Sequence, residues 1–186
     1  MKKLFVILSV LVIFTGFLFA ATDTAGSNIG VTVENIAQLA ITNVTGAAFE
    51  IEAATTEGGI PTINWTDPDG GDLQFTSTAS DTYTRKITAQ ITEGSLTWFT
   101  LKVALGTLNG NQSGSCGTNA AQTATAIPSA SAVDLVTGIG TGWTGTEAGD
   151  GYSITYSGDI VAASAADMDI DTYTISVTYT ITEGEV

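Results

Sequence analysis

From Asp171 to Thr182 the chain alternates without a break. Tyr173, Ile175, Val177, Tyr179 and Ile181 share one parity, while Thr172, Thr174, Ser176, Thr178, Thr180 and Thr182 share the other. Side chains on a strand point alternately to opposite faces, so this pattern predicts a strand with an apolar face and a hydroxyl face. A helix would scatter the same residues around its circumference, and β-branched and aromatic residues favour the pleated surface. A near copy occurs earlier: Asp81–Gly94 matches Asp171–Gly184 at nine of fourteen positions. An uncharged strand of this kind belongs either inside a sheet or against another chain.

Similar alternation predicts the other elements. Ile29, Val31, Val33, Ala37, Leu39 and Ile41 share a parity, which predicts one long strand over 28–41, or two with a bulge near Asn35. Ala47–Ala53 and Ile63–Trp65 are short strands, and Asp67-Pro-Asp-Gly-Gly-Asp72 has the composition of a turn before a strand over 73–78. Thr82–Thr92 keeps Tyr83, Ile87, Ala89 and Ile91 on its apolar side, with Arg85 where the later copy has Ile175. Glu93-Gly94 then predicts a hairpin to Leu96–Leu105. From 106 to 132 periodicity is lost in favour of Gly, Asn, Ser, Thr and Ala; 132–136, 152–157 and the last segment resume it. One helical turn is expected over 162–168. About ten short strands separated by turn signals predict an all-β fold, an Ig-like or jelly-roll-like β-sandwich.

The segment 1–20 reads differently. Lys2 and Lys3 precede an apolar run from Leu4 to Phe19, and Ala20-Ala21 offers small residues for cleavage, the pattern of a signal peptide. The expectation is a secreted or cell-surface protein that meets the membrane only through this segment during export, with 21–186 as a single sandwich domain. Charge supports an extracellular setting: 19 acidic residues face five basic ones, two of which are Lys2 and Lys3, for a formal net charge of −14. Such a surface repels nucleic acid and anionic lipid. Cys116 is the sole cysteine, so no disulfide staples the fold. It lies in the Gly/Ser/Asn stretch 111–119, which reads as an exposed loop.

Histidine is absent. This removes Ser-His-Asp and Cys-His nucleophiles and imidazole zinc sites, and no Gly-rich loop precedes a helix to cradle phosphate. A carboxylate-pair hydrolase is the one catalytic class the composition leaves open, but no pair is marked. The expectation is a non-enzymatic protein. Two acidic groups suggest calcium as cofactor: Asp67, Asp69 and Asp72 in the predicted turn, and Asp167, Asp169 and Asp171 before the last strand. Each also reads as ordinary turn chemistry. Trp98 and Trp143 are candidates for stacking on a sugar, with Trp98 opposite the apolar parity of its strand, although a lone Trp in a sandwich is more often core. Asn43, Asn64 and Asn111 head glycosylation-type triplets.

The signal peptide, the alternating segment 28–33 and the Thr/Tyr/Val strand Tyr173–Thr182 together resemble the exported bacterial β-sandwich subunits of the fimbrial and spore-coat type. The resemblance implies a structural subunit of a filament, coat or sheath, whose partners are other copies of itself, joined when one subunit lends a strand to another. The paired cysteines common in that class are missing here. In this chain the segment 28–36, with Ile29, Val31 and Val33, is the expected donor strand. The alternative expectation is a calcium-dependent carbohydrate-binding or adhesion module that meets glycans through Trp143 or Trp98.

Overall fold

Apolar residues two apart along an extended chain bury one face only when a second sheet covers it. The computed structural model meets this requirement with an all-β sandwich, described for residues 32–44, 46–80 and 82–185. The expected signal peptide, together with Ile29 and Val31 of the expected donor strand, lies outside the described residues. The chain divides into two units, Met1–Val33 and Glu34–Val186, and the sandwich is the second.

Its strands are β1 (Ala37–Thr42), β2 (Ala48–Glu52), β3 (Thr62–Asp67), β4 (Asp69–Ser77), β5 (Tyr83–Glu93) and β6 (Phe99–Asn109). Three two-residue bridges follow, β7 (Ser113–Gly114), β8 (Thr118–Asn119) and β9 (Thr125–Ala126). The remainder are β10 (Val133–Ile139), β11 (Gly142–Trp143), β12 (Gly151–Ile160) and β13 (Ser176–Glu185), with a 3-10 turn at Ala162–Asp167 where one helical turn was expected. One sheet runs β7-β11-β4-β12-β6-β9, with β1 on the other edge of β4; the second runs β13-β5-β10-β8; β2 and β3 form a separate hairpin. All pairings are antiparallel.

The core lies between the two larger sheets. Leu73 and Phe75 from β4, Leu101, Val103 and Leu105 from β6, and Ile154 from β12 are buried, as are Ile87 and Ala89 from β5 and Leu135, Val136 and Ile139 from β10. Each fully buried Leu, Ile or Val contributes about 1.5–3 kcal/mol relative to exposure. With no disulfide present, this burial has to offset the chain entropy of the domain.

Four expectations need correction. The segment 82–105 is not a hairpin: β5 joins the four-stranded sheet and β6 the seven-stranded one, so the chain crosses the sandwich between them. Alternation identifies the face that is buried, and both arrangements bury it. Gly94, at φ 72°, sits in this crossing where a Cβ would collide with the Thr174 carbonyl. Second, in the stretch 67–72 only Pro68 lies outside a strand, because Asp67 ends β3 and Asp69 to Asp72 already belong to β4. Gly70 is needed there for packing: a Cβ would come within 2.5 Å of the Ile154 side chain and 2.7 Å of Tyr156. Third, residues 32–36 are not strand, and the first described strand starts at Ala37. Fourth, the last strand starts at Ser176 and leaves 171–175 irregular.

The two near copies lie side by side. β13 pairs with β5, placing Tyr179 opposite Ala89, Thr180 opposite Thr88 and Ile181 opposite Ile87.

Candidate functional site

Among the described residues β13 hydrogen-bonds to one strand, β5, so one of its two edges is unpaired there. The orientation of that edge follows from β5. Ile91 N–H donates to Pro128 O at 3.1 Å, away from β13. Alternation then turns Gln90 and Thr88 toward β13, where they face Thr178 and Thr180. Val177, Tyr179 and Ile181 therefore present their main-chain N–H and C=O groups to the free edge. No charged side chain interrupts Ser176–Thr182, and Thr178, Thr180 and Thr182 are exposed. Edge strands are usually blunted by lysine, proline or a bulge, and this one carries none of these from Val177 onward.

At its C-terminal end the strand is fastened to the other sheet. Arg85, only 4% exposed, directs Nη2 to Thr78 O at 3.1 Å and to Asn35 Oδ1, and its Nη1 lies 3.9 Å from Glu183 Oε1. Asn35 Nδ2 also donates to Glu183 Oε1 at 3.3 Å. Thr78 Oγ1 donates to Glu34 O at 2.7 Å and accepts from Ile36 N–H at 2.7 Å. Residues Glu34–Ile36 are thus held within their own sandwich, which shortens the expected donor segment 28–36 by its last three residues. Val33, just before them, is 74% exposed. The sequence signal for this junction was a single inward-facing arginine in an apolar parity.

Away from this junction the sheets part around a cleft of about 1210 Å³. Ile41 near the end of β1 and Val177 near the start of β13 both line it. Phe49 packs on Trp65 with centroids 4.9 Å apart and stacks on Phe99 at 4.7 Å, while Trp98 meets Tyr173 edge-on at 5.5 Å. Tyr156 from β12 and Tyr179 from β13 join hydroxyls at 2.7 Å, tying the two sheets together. Burial pushes both phenols above their ordinary range, so the pair stays neutral. Sequence reasoning missed this cleft because its walls come from segments more than a hundred residues apart.

The expected metal ligands do not gather. Asp67 Oδ1 accepts from Asp69 N–H at 3.0 Å, and Asp69 Oδ1 from Gly71 N–H at 2.8 Å. Asp72 Oδ2 accepts from Asn43 Nδ2 at 2.5 Å and from Gly149 N–H at 3.0 Å. Asp167 meets the Thr97 hydroxyl, and Asp171 accepts from Thr172 N–H. Among the described residues no group of three carboxylate or thiol side chains is placed to hold a metal. Of the two stacking candidates, Trp98 is 5% exposed beneath Tyr173, whereas Trp143 on β11 is 51% exposed. Tyr173 and Phe99 pack against Trp98, so that little of its indole reaches solvent, although it borders the cleft. Cys116 lies in the expected loop but points inward, and burial pushes its thiol pKa up, against a weaker opposing hydrogen bond to Ser113 O.

Asp150 is the acidic residue most built into the fold. Its carboxylate accepts from Asn111 N–H at 2.9 Å and Glu147 N–H at 2.8 Å, which holds its pKa below the ordinary value of 3.8. A carboxyl depressed in the folded state contributes stability above the unfolded pKa and loses it as pH falls through the folded value. Below about pH 4 the melting temperature of the protein is therefore expected to fall with acid. Asp150→Asn should flatten that acid limb, measured by circular dichroism melts between pH 2 and 6.

No protein-family model, curated protein or solved structure matches this chain.

Proposed function

We propose that this protein is a secreted structural subunit, without catalysis of its own, that associates with other copies of itself into a filament, coat or sheath. The observation that carries the reading is the edge of β13, uncharged from Ser176 to Thr182 and not paired with any strand among the described residues. Strand addition there supplies main-chain hydrogen bonds, and alternate side chains of the incoming strand continue the apolar layer. The incoming strand is the 28–33 segment of a second copy, whose Ile29, Val31 and Val33 have the required period. Because Glu34–Ile36 are bonded to Thr78 and Arg85, the donor ends at Val33.

Electron microscopy of the exported protein, with calcium and with a chelator, should show filaments or sheets. Deleting residues 28–33 should leave a folded protein that does not polymerise. Strictly monomeric sedimentation at millimolar concentration in both conditions would end this reading. The exposed indole of Trp143 supports a second one, a carbohydrate-binding or adhesion module. Retention on a glycan array, lost in Trp143→Ala while assembly is unaffected, would favour it.

A further inference from the structure

The cleft combines three features that the assembly reading does not use. Its walls are aromatic, from Phe49, Trp65, Trp98, Tyr156, Tyr173 and Tyr179. Its lining includes the carboxylate residues Glu50, Asp169 and Asp171 and, among the described residues, no lysine or arginine. Its surroundings also concentrate unpartnered apolar surface. Among the described residues, Val44, Ile51, Ile170 and Tyr173 are large hydrophobics that are exposed, and all four line the cleft, with Ile170 fully in solvent. Soluble proteins rarely gather such side chains without a partner for them.

We propose that the cleft binds an organic ammonium ligand, a cation carried on an apolar or aromatic body. The volume admits a small molecule, being somewhat above the about 300–1,000 Å³ usual for ligand sites. Charge decides the class. An ammonium group is attracted both by the carboxylates and by the negative faces of the rings, more strongly where the site is desolvated. An anion meets three carboxylates and, among the described lining residues, no counter-charge. The donor segment of a second copy is a poorer occupant, because 28–33 contains no basic residue to meet the carboxylates. The neutral hydroxyl pair of Tyr156 and Tyr179 gives the apolar body a floor without fixed charge.

The test titrates dilute, monomeric full-length protein with benzyltrimethylammonium and, separately, with its uncharged carbon isostere neopentylbenzene and with benzenesulfonate. Binding is followed by tryptophan fluorescence and by NMR shifts of the indole N–H signals. The cation is expected to saturate and to shift Trp65 and Trp98 but not Trp143. It should bind at least about fivefold more tightly than the isostere at low salt, a gap corresponding to about 1 kcal/mol. Asp169→Asn with Asp171→Asn should close most of that gap, and Tyr173→Ala, at the exposed rim, should weaken cation and isostere alike. Equal affinity for cation and isostere, shifts confined to Trp143, or no saturation would overturn the proposal. Measured on the monomer, each result stands whether or not the protein polymerises.

Discussion

Replacing Ile181 with proline is expected to raise the concentration at which subunits assemble by at least about tenfold, while the protein remains folded. Ile181 N–H faces the free edge of β13, so proline removes a donor that no strand of the same sandwich uses. One main-chain hydrogen bond contributes about 1 kcal/mol net, and the ring also obstructs an incoming strand. About 1.4 kcal/mol corresponds to a factor of ten in association. Thr180→Lys is the companion variant. Its side chain lies on the exposed face, its main-chain bonds go to β5, and it places on the edge the charge that natural edge strands use against pairing. Sedimentation velocity and electron microscopy read both variants, and circular dichroism confirms the fold. Unchanged assembly in both would move the contact away from β13.

The second large effect is on stability. Arg85→Ala is expected to cost about 3 kcal/mol, a fall in melting temperature of about 10 °C for a domain of this size. Little of this comes from Glu183, which is 57% exposed and 3.9 Å away, since exposed ion pairs contribute about 0–1 kcal/mol. The loss comes from Thr78 O and Asn35 Oδ1, left without a charged donor inside the fold, and from the packing of the arginine stem. Glu183→Gln should accordingly cost less than about 1 kcal/mol. Arg85→Met, which keeps an apolar stem but donates no hydrogen bond, should fall between the two. Urea denaturation of the three variants separates the contributions. A loss for Glu183→Gln as large as that for Arg85→Ala would mean that the ion pair dominates.

Individual strands were legible in the sequence to within a few residues wherever alternation was strong. β5, β6 and β12 bury the parity that their side chains announce, and even Arg85, the misfit on β5, goes inward with its neighbours. Boundaries failed where composition had two uses. Gly70 and Gly71 read as turn residues and prove to be strand residues in close contact, Gly70 with β12 and Gly71 with the Thr42 carbonyl. Asp171–Ile175 keeps the period of the last strand yet stays outside it, with Tyr173 turned to pack on Trp98. Trp98, expected on the outer parity of a strand, lies in the turn before β6 and is buried, because Tyr173 from the segment after the 3-10 turn packs on it.

For the last strand, the order of residues already specifies a two-faced, uncharged ribbon, because side-chain alternation is a local property of an extended backbone. That this ribbon lies at the edge of its sheet among the described residues, beside its own near copy, follows from the packing of the whole fold. Pairing partners are chosen by which apolar faces fit across the core, and residues far apart in the chain make that choice. The same holds for the cleft and for the Arg85 junction: their members are ordinary aromatic, acidic and amide residues until the sheets bring them together.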